Sequence, residues 1–232
     1  MTLGERSDGA AQECRPAAAM KNRKQDTVSQ LLRVFAKTYT DELKIRVERN
    51  TPSEWFKLLL YVLLSSRRVG HHLSLQATRE VFKEGWILPE RLAKTTWEQR
   101  VALLDRAHYV RYDYSTATYL GDTASLLVER YKGDLRKLRE AAERQPDRER
   151  RLLKEFKGIG DVGCDIFFRE AQAVWDELRP FADKRALRAA ELLSLGKTAQ
   201  ELAKLVSQDQ FVHLVGALAR CDLERRYSDV TS

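Results

Sequence analysis

The sequence predicts an all-α protein. Apolar residues recur at helical spacing along most of the chain, and no stretch shows the strict apolar/polar alternation of a half-buried strand. The glycines and prolines fall mainly between the periodic segments, where breakers separate helices. A chain of 232 residues with 43% apolar side chains can fill one large core or two small ones without disulfide or metal staples.

The elements follow in order. Residues 1–24 are rich in Ala, Gly and charge and hold no apolar run of signal-peptide length, so they read as a flexible tail. A helix is predicted over 27–38. Thr51-Pro-Ser-Glu54 opens the next one: Thr51 is the N-cap, Pro52 takes the first helical position, and Glu54 closes a capping box. This helix runs to about Ser66 and is the expected centre of the core. Its apolar run, 55–64, contains Lys57 and falls short of the roughly 18 residues a bilayer span needs. Helices are predicted over 72–84, 96–106, 115–131 and 134–143, then 148–156, 162–176, 184–194, 198–206 and 208–220. His71 and His72 read as a helix start, and the Arg- and Glu-crowded stretch 139–154 as an exposed connector and helix face.

Lys and Arg number 41 against 34 Asp and Glu, a formal charge of +7 that biases the surface toward polyanions. The excess is modest and spread along the chain, so charge decides little. Cys14, Cys164 and Cys221 are few, odd in number and far apart, which suits a reducing cytoplasm and matches no zinc spacing. The expectation is a soluble, unexported, cytoplasmic monomer.

The most informative segment is Phe156-Lys157-Gly158-Ile159-Gly160, set between two helical stretches. Two glycines around one apolar residue allow a tight turn, with Ile159 as its anchor in the core. The helix that follows opens with unpaired amides and the positive end of its dipole, which together suit a phosphate oxygen. Such a grip needs no particular base. By itself the pattern fits an ordinary helix-turn-helix connection equally well.

The context adds a resemblance. An apolar helix over 162–174, the connector Arg179-Pro-Phe-Ala-Asp183 and the helix start Lys184-Arg-Ala-Leu-Arg-Ala-Ala190 follow the hairpin in that order. The chain thereby resembles the helix-hairpin-helix DNA glycosylases of the endonuclease III type, in which a Leu-Pro-Gly-Val-Gly-like hairpin precedes a helix, a link and the catalytic aspartate. Residues 52–66 are similar to that family's first core helix, and 109–117 to its segment that enters the opened duplex. The resemblance spans about residues 28–221.

It implies a two-lobed fold with DNA between the lobes. One lobe is a six-helix, barrel-like domain over 50–174; the other is a discontinuous helical domain from 25–49 and 175–232. The implied activity is that of a monofunctional DNA glycosylase, which flips a damaged or mispaired base out of double-stranded DNA and leaves an abasic site. Asp183 takes the catalytic role, stabilising the oxocarbenium-like charge on the sugar and orienting water. As a residue just before a helix it reads equally as a plain N-cap. Lys184 and Arg185, which follow it, favour the ionised carboxylate or tie it into a salt bridge.

Gly158, Ile159 and Gly160 contact DNA on this scheme, with Lys157 and Val162 beside them. Family members that also cut the backbone carry a lysine where this chain has Val162, so hydrolysis without strong lyase activity is implied. Lys157 and Lys184 lie close in sequence as substitutes, and both also read as phosphate-contacting or solvated lysines. Arg67 stands where the family often has a glutamine that fills the gap left by the flipped base, with Arg68 beside it; phosphate contact is the other reading. Tyr112 matches the wedge position, although Tyr109, Tyr112, Tyr114 and Tyr119 fit ordinary packing as well. Only Cys221 falls where many relatives hold an iron–sulfur cluster, so no cluster and no cofactor are expected, beyond a monovalent cation at the hairpin backbone. Phe211, Leu214, Val215 and Leu218 should instead hold the C-terminal helices together. Other readings are a catalytically silent DNA-binding protein of the same fold, a glycosylase that keeps lyase activity through a relocated lysine, and a helical protein-interaction domain.

Overall fold

A computed structural model describes residues 14–67 and 69–231, with side chains from residue 22 onward. Every regular element among them is helical: thirteen α-helices and two 3-10 turns. The described residues divide into two compact units, one of residues 14–36 and 184–231 and the other of Lys37–Asp183.

The larger unit is built on α3 (Pro52–Ser65), whose side chains from Trp55 to Leu64 are all buried except Lys57. Thr51 Oγ1 accepts the Glu54 amide and Pro52 begins the helix, as the sequence requires. The capping box does not close, because Glu54 turns away to accept the Arg46 amide at 2.7 Å and the Lys57 ammonium at 2.8 Å. Around α3 pack α4 (His71–Lys83) and α10 (Asp161–Ala171). A second layer pairs α5 (Pro89–Ala93) and α6 (Trp97–Arg106) with α7 (Asp113–Tyr131). The short α8 (Arg136–Ala141) leads to α9 (Pro146–Leu153), which opens with a proline. At the C-terminal end of α3, the Leu64 carbonyl accepts the Tyr109 hydroxyl at 2.7 Å and the Ser74 hydroxyl at 3.1 Å, so an orphan helix carbonyl is satisfied from two neighbours.

Residues 37–49 and 175–183 group with this unit, whereas the sequence expectation put them in the discontinuous domain. Their packing explains it. Thr40 Oγ1 donates to Glu170 Oε2 at 2.8 Å, and Tyr39, Leu43, Ile45 and Val47 are buried. Trp175 packs at a tilt on Trp55 and edge-on to Phe167 at centroid distances of 5.1 and 5.3 Å, and Phe181 meets Phe168 edge-on at 5.6 Å. Burying one indole of this size contributes about 3 kcal/mol, enough to decide which core a nine-residue segment joins.

The smaller unit holds α1 (Cys14–Val34), α11 (Lys184–Leu192), α12 (Ala199–Ala203) and α13 (Gln208–Glu224). Helix α1 begins at Cys14, so the predicted tail is helical from that point, and the rest of it lies outside the described residues. The opening sequence of α1, Cys14-Arg-Pro-Ala-Ala-Ala-Met20, carries no large apolar residues at helical spacing from which a helix could be read. Ala186, Ala189 and Ala190 give α11 a small-residue face on α13, where Phe211, Leu214, Val215 and Leu218 are buried as expected. Asp222, buried on α13, accepts from Arg185, Arg188 and the Tyr227 hydroxyl. No described helix is long and apolar enough to cross a membrane.

Candidate nucleic-acid interface

A tight turn joins α9 to α10, and its two glycines do different things. Gly158 has φ +90°, which disfavours any L side chain, and an added Cβ would stand 2.8 Å from both Leu63 Cδ1 and Tyr119 Cδ2. Gly160 sits in extended backbone, φ −105° and ψ −160°, with nothing within 4 Å of where a Cβ would stand. The first glycine shapes the turn; the second keeps its outer face bare. Between them Ile159 is buried and its amide donates to Phe156 O at 3.0 Å.

Gly160 is the N-cap of α10 and caps it with no side chain, so the opening amides of the helix point outward. A third glycine, Gly163, brings α10 against the end of α3: an added Cβ would meet Ser66 Oγ at 2.5 Å and Ile159 Cγ2 at 3.0 Å. The hairpin is thus braced directly on the core helix. Val162 projects from the first turn of α10 and is 58% exposed.

The charges around the turn are mixed. Asp161, in the first turn of α10, pairs with Lys154 at 2.5 Å, and Arg150 bonds Asp165 at 2.7 Å. Lys157 bonds Asp122 of α7 at 2.9 Å, and this bond holds its ammonium above the ordinary lysine range. A lysine so paired and protonated is a poor Schiff-base nucleophile.

Arg67 and Tyr112 come together beside the hairpin. The Arg67 guanidinium lies over the Tyr119 ring at 4.9 Å and the Tyr112 ring at 5.1 Å, and its Nη2 donates to Ser115 Oγ at 2.6 Å. Tyr119 is also the ring that fills the space beside Gly158, so hairpin, Tyr119, Arg67 and Tyr112 form one contiguous stack. The Arg67 Nε is buried without a hydrogen-bond partner among the described residues. Arg68 lies outside the described residues. Tyr109 is core, whereas Tyr114 is exposed and packs on Trp97 at 5.4 Å.

Asp183 ends the larger unit and is only 5% exposed. Its Oδ2 accepts the Arg169 Nη1 at 2.5 Å, and Arg169 Nε donates to Glu170 Oε1 at 3.1 Å. Burial pulls the Arg169 guanidinium down, but the Asp183 and Glu170 carboxylates outweigh it and hold the group above its ordinary value. The sequence left open a salt bridge from Lys184 or Arg185 to Asp183; in the structure Arg169 makes one. Lys184 and Arg185 are exposed at the start of α11, and Arg185 bonds Asp222 at 3.2 Å. Arg169, Glu170 and Asp161 were not singled out from the sequence, and Tyr119 was read only among aromatics that fit ordinary packing; the available signal was the adjacent charged pair 169–170 within the helix.

No family model, curated protein or solved structure matches this chain. A functional reading therefore rests on the hairpin and the residues around it. Among the described residues no three His, Cys, Asp or Glu side chains gather to hold a metal. Cys164 and Cys221 are buried free thiols, and burial pushes both up to about 11.

Proposed function

We propose that this chain binds double-stranded DNA through its helix-hairpin-helix and acts as a monofunctional glycosylase, excising a damaged or mispaired base to leave an abasic site. One observation carries the reading: a turn braced from within by Gly158 and Ile159 presents the bare backbone of Gly160 and the uncapped start of α10 outward. Backbone amides at a helix start, backed by the dipole, bind a phosphate oxygen without reading sequence. The Arg67–Tyr112 stack next to that turn supplies a cation and an aromatic face for bases unstacked by extrusion.

In this scheme Asp183 stabilises the positive charge that grows on the sugar as the glycosidic bond lengthens, and water completes the displacement. Val162 has no amine and Lys157 is engaged by Asp122, so the reaction stops at hydrolysis. The burial of Asp183 and its bond to Arg169 favour a second reading, a catalytically silent DNA-binding protein of the same fold.

Duplexes that each carry one lesion or mismatch, treated with protein and then with hot alkali, separate the two. For the glycosylase, one duplex breaks after alkali but not before it, and Asp183→Asn lowers the rate by about 100-fold or more. If wild type and variant both leave every duplex whole yet bind with equal, salt-sensitive affinity, the silent reading holds.

Gly160→Ala tests the grip itself. The methyl meets nothing inside the protein, so stability should stay within about 0.5 kcal/mol of wild type. It stands on the face offered to phosphate, and duplex affinity in a filter or anisotropy titration should fall about tenfold, roughly the loss of one charge-assisted hydrogen bond. Unchanged affinity would remove the hairpin from the interface.

A further inference from the structure

Helix α10 begins at the hairpin and carries, nine residues beyond Gly160, the guanidinium that holds Asp183. At 1.5 Å per residue the two features lie about 14 Å apart along one rigid element. We propose that Arg169 is a positioning residue for Asp183, fixing the carboxylate relative to the hairpin and setting the excision rate without touching DNA. The inference rests on the glycosylase reading.

The geometry of a chain of buried groups supports it. Arg169 is 7% exposed in its side chain, Glu170 4% and Asp183 6%. Arg169 is anchored at both ends of its planar fork, through Nε to Glu170 and through Nη1 to Asp183. Glu170 is held in turn, since its Oε2 accepts the Thr40 hydroxyl at 2.8 Å. Thr40 shares a hydrogen bond of 2.9 Å with Thr38, which caps the short α2 (Tyr39–Glu42). The carboxylate at 183 therefore ends a chain of hydrogen-bonded, buried groups.

The cluster is more than is needed to hold a helix end. Two carboxylates and one guanidinium leave the group one negative charge in excess, an arrangement that costs stability in a dry interior unless every donor is placed. For catalysis the excess has a use. Arg169 shares its charge between Glu170 and Asp183, so the Asp183 carboxylate keeps part of its field for the cationic sugar. Lysine cannot replace it, because a single ammonium lacks the fork that reaches both carboxylates in one plane.

The test compares wild type, Arg169→Lys, Glu170→Gln and Asp183→Asn on the duplex that wild type cuts. Single-turnover excision at saturating protein is measured beside duplex affinity and thermal midpoint. Arg169→Lys should excise at least about tenfold more slowly at unchanged affinity, as for a misplaced reacting group. Glu170→Gln keeps the acceptor for Nε but leaves the full Arg169 charge on Asp183, and should slow excision about threefold at an unchanged midpoint. That variant decides the matter if Arg169→Lys fails to fold. A purely structural cluster would lower the midpoint and leave the rate of the folded protein alone. Excision abolished in Asp183→Asn but at wild-type rate in folded Arg169→Lys, or in Glu170→Gln, overturns the inference while the glycosylase reading stands. A wild type that cuts no duplex overturns that reading, and the inference with it.

Discussion

Gly158→Val should destabilise the larger unit by about 4 kcal/mol, a shift of three orders of magnitude in its folding equilibrium. Two costs add. A β-branched residue at φ +90° is in a region L side chains avoid, worth about 1 to 3 kcal/mol. Its Cβ alone would also lie 2.8 Å from Leu63 Cδ1 and from the Tyr119 ring, and Leu63 is 1% exposed with no room to retreat. Relieving that overlap costs a further 1 to 3 kcal/mol or so. Urea or thermal unfolding reads the loss, with Gly160→Ala as the control that should unfold with wild type. Equal midpoints for Gly158→Val and wild type would mean that the turn is not built as described, and the proposed DNA grip would lose its scaffold.

That contrast also marks what the sequence discloses and what it hides. Gly158 and Gly160 are alike in the sequence, two glycines flanking an isoleucine, and both read as residues a Cβ would oppose. Only the backbone angles separate a glycine required by the turn from one whose bareness serves the outside. Helix α3 was legible because its signals are local: Thr51, Pro52 and an apolar run act within one helix. The five-residue α5 was not, since one and a half turns carry too few positions for a period to emerge. Unit boundaries were hidden for a different reason. Contacts such as Thr40 with Glu170 and Trp175 with Trp55 join residues more than a hundred positions apart, and they decide where 37–49 and 175–183 belong. Asp183 was singled out from its place after the hairpin, but its partner was not. Arg169 lies fourteen residues earlier, on α10, and of the flanking cations that drew attention Arg185 bonds Asp222.

The stretch 139–154, which reads as a solvated charged face, hides the second large effect. Glu149 on α9 is fully buried, and neither of its carboxylate oxygens meets a donor. Beside it is Glu177, gripped by Arg139 through two hydrogen bonds of 2.6 Å. Burial pushes Glu149 up to about 8, and the neighbouring Glu177 adds to the rise while Arg139 opposes it. One proton on Glu149, donated to Glu177, removes the deficit. Glu177 moves the other way: burial raises it, but its bonds to Arg139 and Glu149 outweigh burial and hold it below the ordinary value. The pair titrates as a unit. Between the ordinary glutamate value of 4.5 and about 8, the folded protein keeps a proton that the unfolded chain has released. Stability therefore falls as pH rises through that window and levels above it. Glu177 contributes the opposite slope only at lower pH, where its carboxylate is protonated. Glu149→Gln supplies the donor without a proton, so its urea midpoint should stay nearly flat from pH 5 to 9 while that of wild type declines. At pH 9 the variant should be the more stable by roughly 2 kcal/mol, after discounting the shift for solvent screening and coupling. Parallel curves for the two proteins over that range would mean that Glu149 is already ionised and solvated in the fold, and that the 176–178 turn is held by the bonds Glu177 makes to Arg139 of α8 alone.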